Sequence, residues 1–204
     1  MFFCYPLFMN YTHWLVILSG LISITGAYAY IRDTLSGKTR PNRVSWIMWA
    51  IAPLVGTVAA ISAGADLWAT FRVFFSGFLP LIVFGASFVN PKSFWKLTLF
   101  DIFCGICSLL ALIILIFTHS PRAAILLAAL GDGFALLPTL RKAWTNPETE
   151  TGLTYILSLI STIVVLPSIP IWNIENSAFQ IYLLVANTLL IFSIYRKRLI
   201  NIVE

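Results

Sequence analysis

The chain has 204 residues, of which 59% are hydrophobic and 10% charged, with thirteen Lys and Arg against eight Asp and Glu, and a mean hydropathy of +0.91. Soluble domains carry about 45–50% apolar and about 25% charged residues, so these few charges could not cover a soluble globule. The composition is that of a polytopic membrane protein and excludes a soluble enzyme, a nucleic-acid binder and a disordered chain.

Apolar runs long enough to cross a hydrocarbon core occur seven times. They cover residues 11–31, 44–63, 67–89, 94–117, 121–142, 152–169 and 178–195, separated by polar or turn-forming breaks. No Lys or Arg precedes Arg32, so the first span lacks the basic region of a cleaved signal and is expected to persist in the mature protein. Arg32, Lys38, Arg40 and Arg43 lie in the first loop, Lys92 and Lys96 in the third, Arg141 and Lys142 at the fifth, and Arg196, Lys197 and Arg198 in the tail. Eleven of the thirteen basic residues therefore fall on one side, with only Arg72 and Arg122 opposite. The positive-inside rule then puts the N-terminus outside and the C-terminus inside. The expected location is the cell (cytoplasmic) membrane, as a multi-pass protein with the lipid bilayer as its main partner.

Cys4, Cys104 and Cys107 are too few and too apolar in setting for a disulfide framework. Cys104-x-x-Cys107 has no second pair, and His13 and His119 are remote, so the two cysteines read as small packing residues. No metal-ligand cluster, phosphate-binding glycine loop or cofactor motif is present in the sequence, and the chain is not read as an enzyme.

Seven spans invite a test for three helices on either side of a linker. A shift of 109 residues sets Ile31-Arg32 on Leu140-Arg141 and Val44-Ser45-Trp46-Ile47 on Leu153-Thr154-Tyr155-Ile156 without a gap. The expected fold is all-α: two parallel three-helix bundles, 1–93 and 121–204, joined by a linker helix in 94–120, a 3+1+3 arrangement. Leu137-Pro138-Thr139 closes the fifth span, and Asn146-Pro147-Glu148-Thr149-Glu150-Thr151-Gly152-Leu153-Thr154 opens the sixth. This pattern resembles the PQ-loop repeat of SWEET and cystinosin-like transporters. Arg40-Pro41-Asn42-Arg43-Val44-Ser45 stands at the corresponding place in the first half, where Ala29-Tyr30 replaces the Pro-Gln pair. The resemblance implies transport of a small polar solute by alternating access, with Pro138 as a hinge and Asn187 on the substrate pocket.

Asp132 stands near the middle of the fifth span between Gly131 and Gly133. A carboxylate at that depth costs about 2.5–3.5 kcal/mol on insertion scales and marks a cavity or a partner, so Asp132 is a candidate solute- or proton-binding group. The two glycines would permit close approach or bending there. Asn187 lies mid-span in the seventh segment, and the repeat shift puts Phe78 at its mate's position, beside Ser76 and Gly77. Ser76 is therefore included as a binding candidate. Trp46, Trp49, Trp95 and Trp144 are expected in an interfacial belt, although Trp49, one turn deeper, could stack on a solute. Arg72 lies one turn beyond Trp68, so a cation–π pair is plausible, with Asp66 as its rival partner.

Two other functions stay open. One is a non-transporting receptor or assembly protein on the same fold. The other is an intramembrane aspartyl protease using Asp101 and Asp132, suggested by the partial likeness of Ala129-Leu130-Gly131-Asp132 and Pro138-Thr139-Leu140 to presenilin-like motifs. Substrate identity is not set by the sequence, and a homo-oligomer is compatible with it.

Overall fold

The computed structural model describes residues 11–62, 67–169 and 171–203. Among them are seven α-helices and no strands. Helix α1 covers Tyr11–Leu35, α2 Arg43–Ser62, α3 Leu67–Ala86, α4 Leu99–Ile116, α5 Pro121–Thr145, α6 Gly152–Val165 and α7 Ile174–Val203. Stretches in α1, α4, α5 and α7 are long and apolar enough to cross a membrane, while those in α2, α3 and α6 are apolar but shorter.

Local chemistry explains where the helices start and stop. α1 runs one turn past the expected Ile31, until Gly37 takes φ +80°, a left-handed conformation that glycine adopts without strain. α4 begins at Leu99 and not at Phe94, because Thr98 and Asp101 form a reciprocal capping box. Pro91–Ser93 is a separate 3₁₀ turn. α5 is capped by Ser120, with Pro121 in its first turn. α6 ends at Val165, where a 3₁₀ turn over Leu166–Ser168 contains Pro167; the proline has no N–H with which to extend the helix. α7 continues beyond Tyr195, so the basic tail is helical.

The packing follows a simple order. α3 lies against both α1 and α2, and α7 against both α5 and α6. Across the molecule α1 packs on α6, and α2 on α5. α4 packs chiefly on α5 and touches α2. The central core takes Tyr30, Trp46, Val83, Leu136, Ala143, Tyr155, Ala186 and Leu190 from every helix except α4.

α4 is inside-out by soluble standards. Its buried positions are Asp101, Cys104, Ser108, Ala111 and Leu112, whereas Ile102, Phe103, Ile106, Leu109, Leu110 and Ile113 are exposed. A stripe of small and polar residues at helical spacing lets helices pack closely in lipid, where apolar side chains gain nothing by turning inward. Gly131 shows the closeness: a Cβ there would lie 3.2 Å from the Ala111 Cβ and 3.5 Å from the Ser108 carbonyl oxygen.

Candidate functional site

A cavity of about 510 Å³ opens between the helices. Its wall includes Val16 to Ala27 of α1, Trp46, Trp49 and Pro53 of α2, and Ser76 and Pro80 of α3. The other side is formed by Asp132 and Leu136 of α5, Thr154 to Val165 of α6, and Phe179 to Leu190 of α7. All four candidate binding residues, Asp132, Asn187, Trp49 and Ser76, line this one space.

Asp132 accepts a hydrogen bond from the Tyr182 hydroxyl at 2.6 Å through Oδ2. Gly133 faces the same ring, the place of a Cβ there lying 3.8 Å from Tyr182, an ordinary contact distance. The two glycines flanking Asp132 thus serve different neighbours: Gly131 faces α4 and Gly133 faces α7. Asn187 is buried, and its side-chain amide donates to the Leu183 carbonyl of its own helix at 2.8 Å. Ser76 likewise donates to Val73 at 2.7 Å. Phe78, at the register expected for a mate of Asn187, stacks on Phe74 at 5.1 Å and is not on the cavity wall.

The tryptophans divide differently from the expected belt. Trp46 is only 5% exposed and packs against Tyr30 at 4.5 Å. Trp49 stands edge-on to Trp46 at 5.2 Å, and both line the cavity. Depth along the chain is the same for a belt residue and a core residue; rotation about the helix axis decides between them. Trp144 is exposed, with the Arg196 guanidinium 4.3 Å from its ring, as an interfacial residue would be. Asp66 and the side chains of Trp68 and Arg72 lie outside the described residues.

Next to the cavity, and joined to its wall through Tyr155, is a buried polar network that the sequence did not single out. Glu150 Oε2 accepts from Tyr30 at 2.8 Å and from Tyr155 at 3.0 Å. Its other oxygen pairs with Lys142 at 2.5 Å, both side chains being fully buried. Lys142 also donates to the Arg40 carbonyl. Beside it, Thr151 donates to Asp33 Oδ2 at 3.0 Å, and the Arg40 amide donates to the Thr149 carbonyl at 3.0 Å. Asp33 and Lys142 are 109 residues apart. Asp33 lies near the end of α1 and reaches the loop before α6, and Lys142 lies near the end of α5 and reaches the loop before α2. That opposite-charge match at the repeat register was the one signal in the sequence able to reveal the network.

Asp101 and Asp132 have separate engagements. Asp101 accepts the Thr98 amide at 2.7 Å as part of the α4 cap. It lies in the electrostatic neighbourhood of Lys142, ten residues along α5 from Asp132. The two carboxylates are not hydrogen-bonded to each other. Cys104 and Cys107 are free thiols, Cys104 being buried in the α4 packing stripe.

Comparison with known proteins returns no matching family model, no similar curated protein and no similar solved structure.

Proposed function

We propose that the protein is a membrane transporter of the PQ-loop, SWEET-like type that moves a small polar solute by alternating access. The observation that carries this reading is the single cavity joining Asp132, Asn187, Trp49 and Ser76, with the buried Glu150 network adjoining it through Tyr155. A solute site near mid-depth with a closed polar network beside it is what one half-cycle of alternating access requires.

The helix packing supports the 3+1+3 repeat. Exchanging α1 with α5, α2 with α6, and α3 with α7 maps the α1–α3 and α2–α3 contacts onto α5–α7 and α6–α7. The same exchange maps α1–α6 onto α2–α5. Arg40 and Thr149, related by the 109-residue shift, hydrogen-bond directly to each other, as residues flanking a two-fold axis do. On this reading α4 is the linker, the polar network lies at the basic, cytoplasmic end, and the cavity faces outward. Asp132 binds solute or a coupling proton, and Pro138 is the hinge.

Uptake into proteoliposomes across a panel of small solutes tests the proposal. Saturable flux that Asp132→Asn alters in rate or pH dependence is expected. A protein that binds a solute without moving it would instead be a receptor or an assembly factor, and unaltered flux in Asp132→Asn would remove the carboxylate from the mechanism.

A further inference from the structure

The chemistry of the cavity wall is one-sided. Many of its hydroxyl and amide groups donate to protein acceptors, while Ser158 and Gln180 also stand on the wall. Ser19 donates to the Val16 carbonyl, Thr154 to Gly26, Ser161 to Ser19 and Thr162 to Ser158, at 2.8–2.9 Å. Ser76 and Asn187 do the same within their own helices. Because the Ser161 proton goes to Ser19, the 2.8 Å contact between Ser23 and Ser161 has Ser23 as its donor. The Trp46 and Trp49 indole N–H groups are buried and have no hydrogen-bond partner among the described residues. What sets the wall apart is its charge: among the described lining residues Asp132 is the one carboxylate.

That carboxylate is uncompensated. Among the described lining residues none is Lys, Arg or His. The hydrogen-bond partner of Asp132 is a neutral phenol, on Oδ2. The nearest buried cation, Lys142, is not on the wall and is committed to Glu150 and the Arg40 carbonyl. The remaining wall is aliphatic and aromatic, with the Trp46 and Trp49 rings in its lower part. An electron-rich, negatively charged space suits a ligand with a positive charge.

We propose that this cavity binds small organic cations, an ammonium carried on an apolar body, with Asp132 as counter-ion and the Trp49 and Trp46 rings flanking the charge. A cavity of about 510 Å³ lies within the range of small-molecule sites, roughly 300–1,000 Å³. This inference names the solute class of the proposed transport site and rests on that site being the functional one, but binding alone decides it.

The test is equilibrium binding of radiolabelled 2-phenylethylamine to the purified full-length protein in nanodiscs. Benzyltrimethylammonium, 2-phenylethanol and phenylacetate serve as competitors of matched shape and different charge. Both cations are expected to occupy the site, the neutral alcohol to bind about tenfold or more weaker, and the anion not to compete. Asp132→Asn is expected to lose about tenfold or more in amine affinity and to lose the preference over the alcohol, while Asp132→Glu retains both. The charge series on the unaltered protein decides the matter even where a variant fails to fold. Absence of saturable amine binding, equal binding of the alcohol, or undiminished amine affinity in a folded Asp132→Asn protein overturns the inference. Amine binding without uptake into proteoliposomes upholds the ligand class and overturns transport; uptake of a neutral or anionic solute without amine binding does the reverse.

Discussion

Lys142 and Glu150 meet at 2.5 Å with both side chains fully withdrawn from water. The pair sits where two loops cross: Lys142 ends α5 and also holds the Arg40 carbonyl, while Glu150 precedes α6 and holds the hydroxyls of Tyr30 and Tyr155. Together they tie α1, the first loop, α5 and α6 into one polar knot beneath an apolar core. A buried ion pair gains little over an apolar isostere, but removing one partner strands the other charge.

Thermal unfolding in detergent is therefore expected to be sharply non-additive at this pair. Lys142→Met or Glu150→Leu alone should cost about 3–5 kcal/mol, and the double variant should recover most of that loss. Additive losses would mean that the two side chains do not act as a pair. If the knot also bars the cytoplasmic route, the double variant should expose residues near Trp46 to a thiol reagent from the basic side after a cysteine is placed there.

Close backbone approach makes a second, separate prediction. A Cβ on Gly77 would lie 2.8 Å from the Ala50 carbonyl oxygen and 2.9 Å from the Leu54 side chain, so α2 and α3 would have to separate. Gly20 has nothing within 4 Å of the same position. Gly77→Ala should destabilise by about 1–3 kcal/mol through overpacking. Gly20→Ala should be neutral, or stabilising by up to about 1 kcal/mol from helix propensity. Equal midpoints of thermal unfolding for the two variants would contradict the α2–α3 contact.

Orientation is open to direct labelling. In a protein with Cys4, Cys104 and Cys107 replaced, single cysteines at Lys96 and His119, both exposed, lie at opposite ends of α4. A membrane-impermeant maleimide should reach His119→Cys in intact cells and Lys96→Cys only in inverted vesicles. The opposite pattern would invert the topology that the basic loops indicate.

How far the sequence could be read depends on which coordinate mattered. Hydropathy and turn residues mark positions along the chain, and they placed seven helices with end shifts explained by the Thr98–Asp101 cap, Gly37 and Pro167. Asp132 and Asn187 stood out because polar groups at mid-depth are costly, and depth is also a coordinate along the chain; Ser76 was reached through the 109-residue shift. Rotation about a helix axis is not legible where both faces are apolar, so Trp46 was expected at the interface and lines the cavity instead, while Trp49 could be read either way. The Tyr30–Glu150–Tyr155 network was missed for a related reason. Its carboxylate lies in a loop rich in polar residues, and only the crossing of two loops buries it. The α4 stripe at 101, 104, 108 and 111 was visible as spacing, but in water such a stripe would face outward.

Pro138 joins the two ends of the site. It is buried in the interior of α5, six residues beyond Asp132 and four before Lys142, or about 9 Å and 6 Å along the axis. Its ring leaves the carbonyl one turn earlier without a helical donor and permits a bend there. A bend at this point would tilt Lys142, and with it the polar network, relative to Asp132. Pro138→Ala restores the missing hydrogen bond, worth about 0.5–1.5 kcal/mol, and stiffens the segment between cavity and network. Solute affinity, set by the wall around Asp132, should stay the same in the variant, while flux into proteoliposomes should fall severalfold. Unchanged flux would make Pro138 a fixed kink, and a parallel loss of affinity would place its effect at the cavity wall and not at a hinge.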